Sequence, residues 1–325
     1  TAGTSNFRAG VNAGNSIASG GNYNVVVGDE AGTAITTGDY NVGIGYGAGA
    51  VVTTTGGHTA IGGLALTSTT SGTNNTAVGF QASRYLTTGA SNVAVGYLAV
   101  GGTGVVTGSN NTGVGVSALQ ANTTGENNTA VGSSAGAAIT TGTRNTFMGR
   151  LAGDGTNDGI ANTAVGQQAL SANCGDQNTA IGDNALYVCT GATNTAVGQG
   201  AGYGLTSGSN NLFLGLDAGR TGSPGGNITT GGNEIVLGDE NITEAHIQVD
   251  WTVVSDQRDK TDFTALDLGL DFVKALAPVT YKWDKRSKYG DKTADDYDLL
   301  DQTPDGTHKE DWLDIGFKAQ EVQAL

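Results

Sequence analysis

Glycine returns along this chain at positions 10, 28, 45, 62, 79, 96, 115, 132, 149, 166, 182, 198 and 215, at intervals of 16 to 19 residues. Three residues after each stands an alanine, from Ala13, Ala31 and Ala48 to Ala201 and Ala218. Four residues before most of them stands an asparagine: Asn24, Asn41, Asn75, Asn92, Asn111, Asn128, Asn145, Asn162, Asn178, Asn194 and Asn211. The unit is Asn-Thr-Ala-Val-Gly-x-x-Ala-Leu, followed by a Thr-Thr-Gly or Ser-Gly turn. A fixed period of this kind restricts the chain to a repeat architecture, in which each unit packs on its neighbours.

A helical repeat of the usual kinds needs roughly 33 residues or more, because it holds two helices. About 17 residues fit one coil of a β-solenoid, with two short strands and two turns. The fold class is therefore mostly β: a solenoid or β-roll of about thirteen coils. Twelve intervals at about 4.8 Å per stacked strand give a shaft of roughly 60 Å. Within Asn75-Thr76-Ala77-Val78-Gly79, alternate side chains point to opposite sides. Ala77 suits a cramped interior, and Val78 faces outward, as do Val131, Met148, Val165, Ile181, Val197 and Leu214. A strand that is apolar on both faces is covered on both. A slim coil has nothing of its own to cover the outer face, so the simplest cover is another chain, with closed rotational symmetry. The Asn column reads as stacked amides or turn hydrogen bonds that hold the coil corners, in preference to ion or ice binding.

Composition removes several classes. With 55 glycines but only 3 prolines and no three-residue period, the chain is neither collagen nor a proline-rich linker. Apolar residues make up 37% and recur at fixed places, which argues against disorder. No apolar run reaches about 18 residues, so no membrane insertion is expected. The net charge of −15 comes without a basic stripe, which disfavours nucleic acid. No basic-then-apolar leader precedes Thr1, and Glu321 to Leu325 do not read as a finished tail; the chain reads as a piece of a longer polypeptide. Cys174 and Cys189 are too few for a disulfide framework; their spacing stacks them on adjacent rungs, where they read as small buried thiols or solvent-facing side chains in preference to a disulfide. His58, His246 and His308 stand far apart and suggest no metal site. Asp295, Asp296, Asp298 and Asp301, with Asp305-Gly306, lack the EF-hand spacing and read as a solvated insertion. No Gly-Lys-Ser/Thr follows a glycine-rich stretch, so no phosphate loop is present. No cofactor and no metal are expected.

Charge also divides the chain. Residues 1–250 hold 5 Arg, no Lys and 14 acids, whereas residues 251–325 hold 10 basic and 16 acidic residues. The division expected is a repeat shaft over 1–240, a transition or end cap over 241–254, and a small α+β segment over 255–325. In the last, Leu266, Leu270, Val273 and Leu276 form one helical stripe that Pro278 ends. Val279 to Trp283 reads as a strand, and Ile315 to Val322 as a strand passing into a helix.

The repeats resemble those of bacteriophage tail fibres and spikes, and more distantly the heads of trimeric autotransporter adhesins. In those families three chains pack about one axis, so the resemblance implies a homotrimer. Three further motifs are Ser-Asp-x-Arg-x-Lys at 255–260, Leu-x-Pro-Val-x-Tyr-x-Trp at 276–283 and Gly-Phe-x-Ala-Gln-Glu-Val at 316–322. They are similar to the intramolecular chaperone domain of endosialidase tailspikes and phage fibres. There the domain trimerises, sets the shaft in register and cuts itself off before the serine. The resemblance makes Ser255 the nucleophile, Lys260 the general base and Val254–Ser255 the scissile bond, with Asp256 and Arg258 supporting. A neutral lysine can take a serine proton, and burial or the nearby charge of Arg258 would lower its pKa. The sequence departs from the family at Asp259, where an aliphatic residue is frequent. It also stops at Leu325, where the family's domain normally continues, so the chaperone reads as incomplete.

Together these features predict a structural fibre or appendage protein of a virion, not an enzyme apart from one self-cleavage. Its expected partners are a host-surface receptor, either a glycan or an outer-membrane component, and other tail proteins. A bacterial trimeric adhesin head is the alternative, and the Ser255–Lys260 region argues against it. A polysaccharide-degrading tailspike would need paired carboxylates on a long aromatic-rich insertion, which the repeats lack.

Overall fold

The computed structural model describes residues 3–245, 279–282, 284, 303–309, 311 and 314–316. Residues Thr1–Ile242 form one compact unit and Thr243–Leu325 another. In the first, fourteen three-residue strands run from β1 (Phe7–Ala9) and β2 (Val25–Val27) to β13 (Leu212–Leu214) and β14 (Ile235–Leu237). All pair in parallel, each with its sequence neighbours, in a single sheet of order β1 to β14. Equivalent residues face each other across every step: Thr76 lies beside Val93, Ala77 beside Ala94 and Val78 beside Val95. This is the parallel β-solenoid expected from the period, with one strand beyond the thirteen glycine-marked coils.

Each coil carries one strand rather than two. The opposite wall is the Gly-x-x-Ala-Leu segment, and its backbone alternates into the left-handed region: Leu64 has φ 59° and Leu66 φ 46°. The N–H groups of these two residues serve opposite neighbouring coils, and that of Ala65 between them donates to Gly62 within the coil at 3.2 Å. The Leu64 N–H donates back to the Tyr46 carbonyl at 2.8 Å, and the Leu66 N–H donates forward to Ala82 at 3.1 Å. The wall thus bonds coil to coil as a sheet does, without strand dihedrals. Left-handed conformation costs an ordinary residue about 1–2 kcal/mol. For the β-branched Val100 (φ 52°) it is offset by a buried side chain and by a 2.8 Å bond from its N–H to Ala118.

The glycine after each strand is obligatory for two reasons. Gly79 sits at φ 137°, a region closed to side chains, and a Cβ there would stand 2.7 Å from the Gly96 carbonyl carbon of the next coil. Coils could not stack this closely with any other residue.

The core is a narrow column of alanines plus one large side chain per coil. Strand centres such as Ala77, Ala94 and Ala130 are fully buried, as is the Gly+3 alanine column (Ala82, Ala99, Ala135). The large residue comes from one of two places. Leu66, Leu119 and Leu186, four after the glycine, accompany Thr69, Asn122 and Cys189 at seven after it. Where the first place is Gly14, Gly136 or Gly202, the second holds Ile17, Ile139 or Leu205. Phe147 replaces a strand-centre alanine, and its coil has Gly153 and Thr156 at those places. A Cβ at Gly153 would lie 2.6 Å from the ring. A bulky apolar side chain is kept in these coils while its source alternates, as close packing demands.

In the second unit, β15 (Val279–Tyr281) pairs antiparallel with β16 (Asp314–Gly316). Both strands fall where the sequence places them. The helix expected from Leu266 to Leu276, and the one after Gly316, lie outside the described residues.

Candidate functional site

The self-cleavage residues named from the sequence, Ser255 and Lys260 with Asp256, Arg258 and the Val254–Ser255 bond, also lie outside the described residues. Three features of the solenoid carry side chains whose chemistry can be judged: its outer sheet face, its interior amide column and its two thiols.

The outer face is built by the strands' third residues. Ile44, Ile61, Val131, Ile181, Val197 and Leu214 stand exposed there, and Met148 reaches 45% exposure. Their inner neighbours Ala60, Ala130, Phe147, Ala180 and Phe213 have almost none. A second exposed column follows each glycine, and it changes along the chain. Tyr46, Phe80, Tyr97 and Val116 make it apolar in the earlier coils, with Phe80 and Tyr97 stacked at 6.1 Å between centroids. Ser133, Arg150, Gln167 and Asp183 make it polar further on. Asp29 and Gly63 interrupt the column early and Leu216 returns it to apolar after Gly215, so the apolar surface is two residues wide only over parts of its course. Scattered exposed apolar residues are ordinary, but a continuous band of this length marks an interaction surface.

The asparagines form a buried ladder, as expected from their place at the coil corners. The Asn128 backbone N–H donates to Asn111 Oδ1 at 3.0 Å. Its Nδ2 donates to the same oxygen at 3.2 Å and to the Gly142 carbonyl at 2.8 Å. Its own Oδ1 then accepts from the backbone N–H and Nδ2 of Asn145, each at 3.0 Å. Apart from Asn162 Nδ2, which is buried without a partner, the amides of the ladder are consumed by the fold.

His58 occupies one rung of this ladder. Its N–H donates to Asn41 Oδ1 at 3.2 Å, and its Nδ1 accepts from the Asn75 N–H at 3.4 Å. Its Nε2 faces Thr55 Oγ1 at 3.2 Å. Burial lowers its pKa below the usual 6.5, against an opposing bond to the Gly72 backbone. His58 stands four residues before Gly62, the place that asparagine holds in the neighbouring coils, and that spacing is the sequence signal for its role.

Cys174 and Cys189 are buried free thiols. Cys174 Sγ lies 3.1 Å from Thr156 Oγ1. Burial pushes both up to about 11, so neither is a thiolate nucleophile near neutrality. Among the described residues no group of three or more His, Cys, Asp or Glu is placed to hold a metal ion. Of the acidic region, Asp305 caps a turn by accepting from Thr307 N–H and Oγ1 at 2.9 and 2.7 Å. Asp284 Oδ2 accepts from the Gly306 N–H at 2.7 Å. Asp295, Asp296, Asp298 and Asp301 are outside the described residues.

Residues 255–325 match the family described as the chaperone of endosialidase, which is classed among the peptidases. The match begins at the serine from which the sequence motif starts. With the solenoid over residues before it, it fits the resemblance to a tail fibre that carries an endosialidase-type chaperone. Neither the curated proteins nor the solved structures contain a match to the chain.

Proposed function

From a chaperone-type segment at 255–325 and a solenoid with an uncovered apolar face, we propose that this chain is the shaft of a virion fibre or appendage that attaches to a host surface. Three copies associate along the outer sheet face, and the 255–325 segment sets their register and then releases itself by cleavage before Ser255. The observation that carries this reading is the outer column from Ile44 to Leu214, apolar in every coil and left half-buried or exposed in the single chain. Covering such a column removes apolar area from water at about 25 cal/mol per Å². A second or third copy, with the same column at the same pitch, matches it rung for rung.

The chaperone follows from the repeat. Because every coil looks alike, a one-coil slip between chains changes little locally, and pairing over long sequence separations is slow. A C-terminal segment that brings three chains together first removes that ambiguity. Cleavage at Val254–Ser255 would use the Ser255 hydroxyl, with neutral Lys260 as the base, to attack the preceding carbonyl.

The test is the mass of the purified chain, native and denatured, beside Ser255→Ala. A native trimer whose denatured chains lose about 70 residues only with Ser255 intact is the expected result. Whole chains in both forms would retire the cleavage and keep the fibre. A native monomer would overturn the assembly.

A further inference from the structure

The longest step in the solenoid is the last. Asn211 and Glu234 are 23 residues apart at equivalent ladder positions, against 16 to 19 elsewhere. The added chain is held in a fixed shape. Ser223 Oγ accepts from the Gly219 N–H and donates to the Arg220 carbonyl, both at 2.9 Å. The Ile228 N–H donates to Gly219 at 3.0 Å, and its side chain is buried. Between this loop, the preceding coil at Tyr203 and the following one at Asp239 lies a cleft of about 410 Å³. That volume is within the range of small-molecule sites, and functional residues concentrate on loops set on a rigid scaffold.

The chemistry of the lining selects a ligand class. Tyr187, Tyr203 and Arg220 hold the same place in three successive coils. The Tyr203 ring is 5.1 Å from Tyr187, and the Arg220 guanidinium is 4.8 Å from it. Arg220 is also paired to Asp217 at 2.6 Å. The one cation of the cleft and the faces of its one aromatic ring are therefore already engaged. What remains is acceptor-rich: the carboxylates of Asp239 and Glu240, the Asn227 amide and the Thr221 hydroxyl. Asp239 accepts from the Asn241 N–H and Nδ2 at 3.0 and 2.9 Å, which leaves further lone pairs. Two glycines let these groups close on the backbone. A Cβ at Gly204 would stand 2.7 Å from Asn227 Oδ1, and one at Gly222 would collide with the Glu240 carboxylate. Among the described residues no trio of acids is placed to hold a metal ion.

We propose that this cleft binds a saccharide bearing a free amine, its ammonium on Asp239 and Glu240 and its hydroxyls on Asn227 and Thr221. An ammonium and several hydroxyls supply donors to these free acceptors, and two unneutralised carboxylates repel an acidic sugar. That the ligand belongs to a host surface rests on the attachment reading; the binding itself does not.

The test is calorimetric titration of the full chain with the disaccharide of glucosamine, its N-acetylated form and a disaccharide of galacturonate. Saturable binding of the amine, weakened at least tenfold by acetylation and absent for the uronate, is expected. Glu240→Gln should weaken it by a similar factor, and Gly222→Ala, which displaces the Glu240 side chain, should do the same with an unchanged far-UV spectrum. No saturable binding of the amine, equal or tighter binding of the uronate, or indifference to both variants would overturn the proposal. Native mass on the same samples separates the two ideas. A trimer that ignores the amine sinks the cleft alone, and a monomer that binds it sinks the assembly alone.

Discussion

The two faces of the same strands differ in what they owe to the chain itself. The inner residues are sealed by their own coil and the coils above and below: Ala77, Ala130, Phe147 and Phe213 have no exposed surface, and the Asn128 amide is bonded on both sides. One position along, the outer residues Val131, Met148 and Leu214 stay exposed and Val78 is only half-buried. The interior is closed by sequence-local stacking, which each coil repeats. The outer face is regular in the same degree, yet nothing within the described solenoid covers it. Regularity on the inside makes the fold, and regularity on the outside provides a surface that a copy can match.

Substitutions can break that contrast from either side. Phe147→Ala should have the largest effect, because Gly153 and Thr156 leave room for the ring and supply nothing to replace it. Large-to-small changes at such sites cost about 3–5 kcal/mol, which denaturant unfolding would register as a fall in midpoint. Asn128→Ala comes next. It leaves the Asn145 N–H without its acceptor and the Gly142 carbonyl without its donor, each buried group costing about 1–3 kcal/mol. An unchanged midpoint in Asn128→Ala would mean that the ladder is not what closes the corner. On the outer face, Met148→Asp with Ile181→Asp should lower the native mass and leave the coil's far-UV spectrum in place. Loss of the spectrum instead would show that the outer face is needed within a single chain as well.

How much of this was legible follows from where each signal sits. The glycine, alanine and asparagine columns carry a single residue type at a fixed place, so the period, the parallel stacking and the inward alanines could be read directly. The left-handed wall could not, because leucine and valine do not announce φ near +50°. The trace is that glycine and side-chain residues share a column, Gly47 with Leu64 and Gly136 with Leu119, which is what a left-handed position under packing pressure looks like. The trade between that place and the one three residues on is a relation between columns, and it emerges only once the side chains meet. Ser255 and Lys260 are a different case. Nothing in their spacing singles them out, and only the motifs around them do, now joined by the family match over 255–325.

The smallest effect expected is also the most specific, because it isolates one rung. With the Asn75 N–H pointing at Nδ1, the neutral His58 ring fits the ladder as an acceptor. Protonation would set a second donor against that N–H and place a charge in a site whose burial already lowers the pKa. A folded-state pKa below the unfolded value of about 6.5 means that the unfolded chain binds more protons under acid conditions. The contribution is thus fully present above about pH 6.5 and is lost as pH falls below it. His58→Asn restores the amide of the neighbouring rungs, donor and acceptor together, and carries no titrating group. Thermal midpoints of the two forms should therefore run parallel above neutrality and diverge between pH 6.5 and 5, with the parent falling further. Midpoints that stay parallel across that range would mean that His58 titrates as freely in the fold as in the unfolded chain. The rung would then be open to water where its asparagine neighbours are sealed.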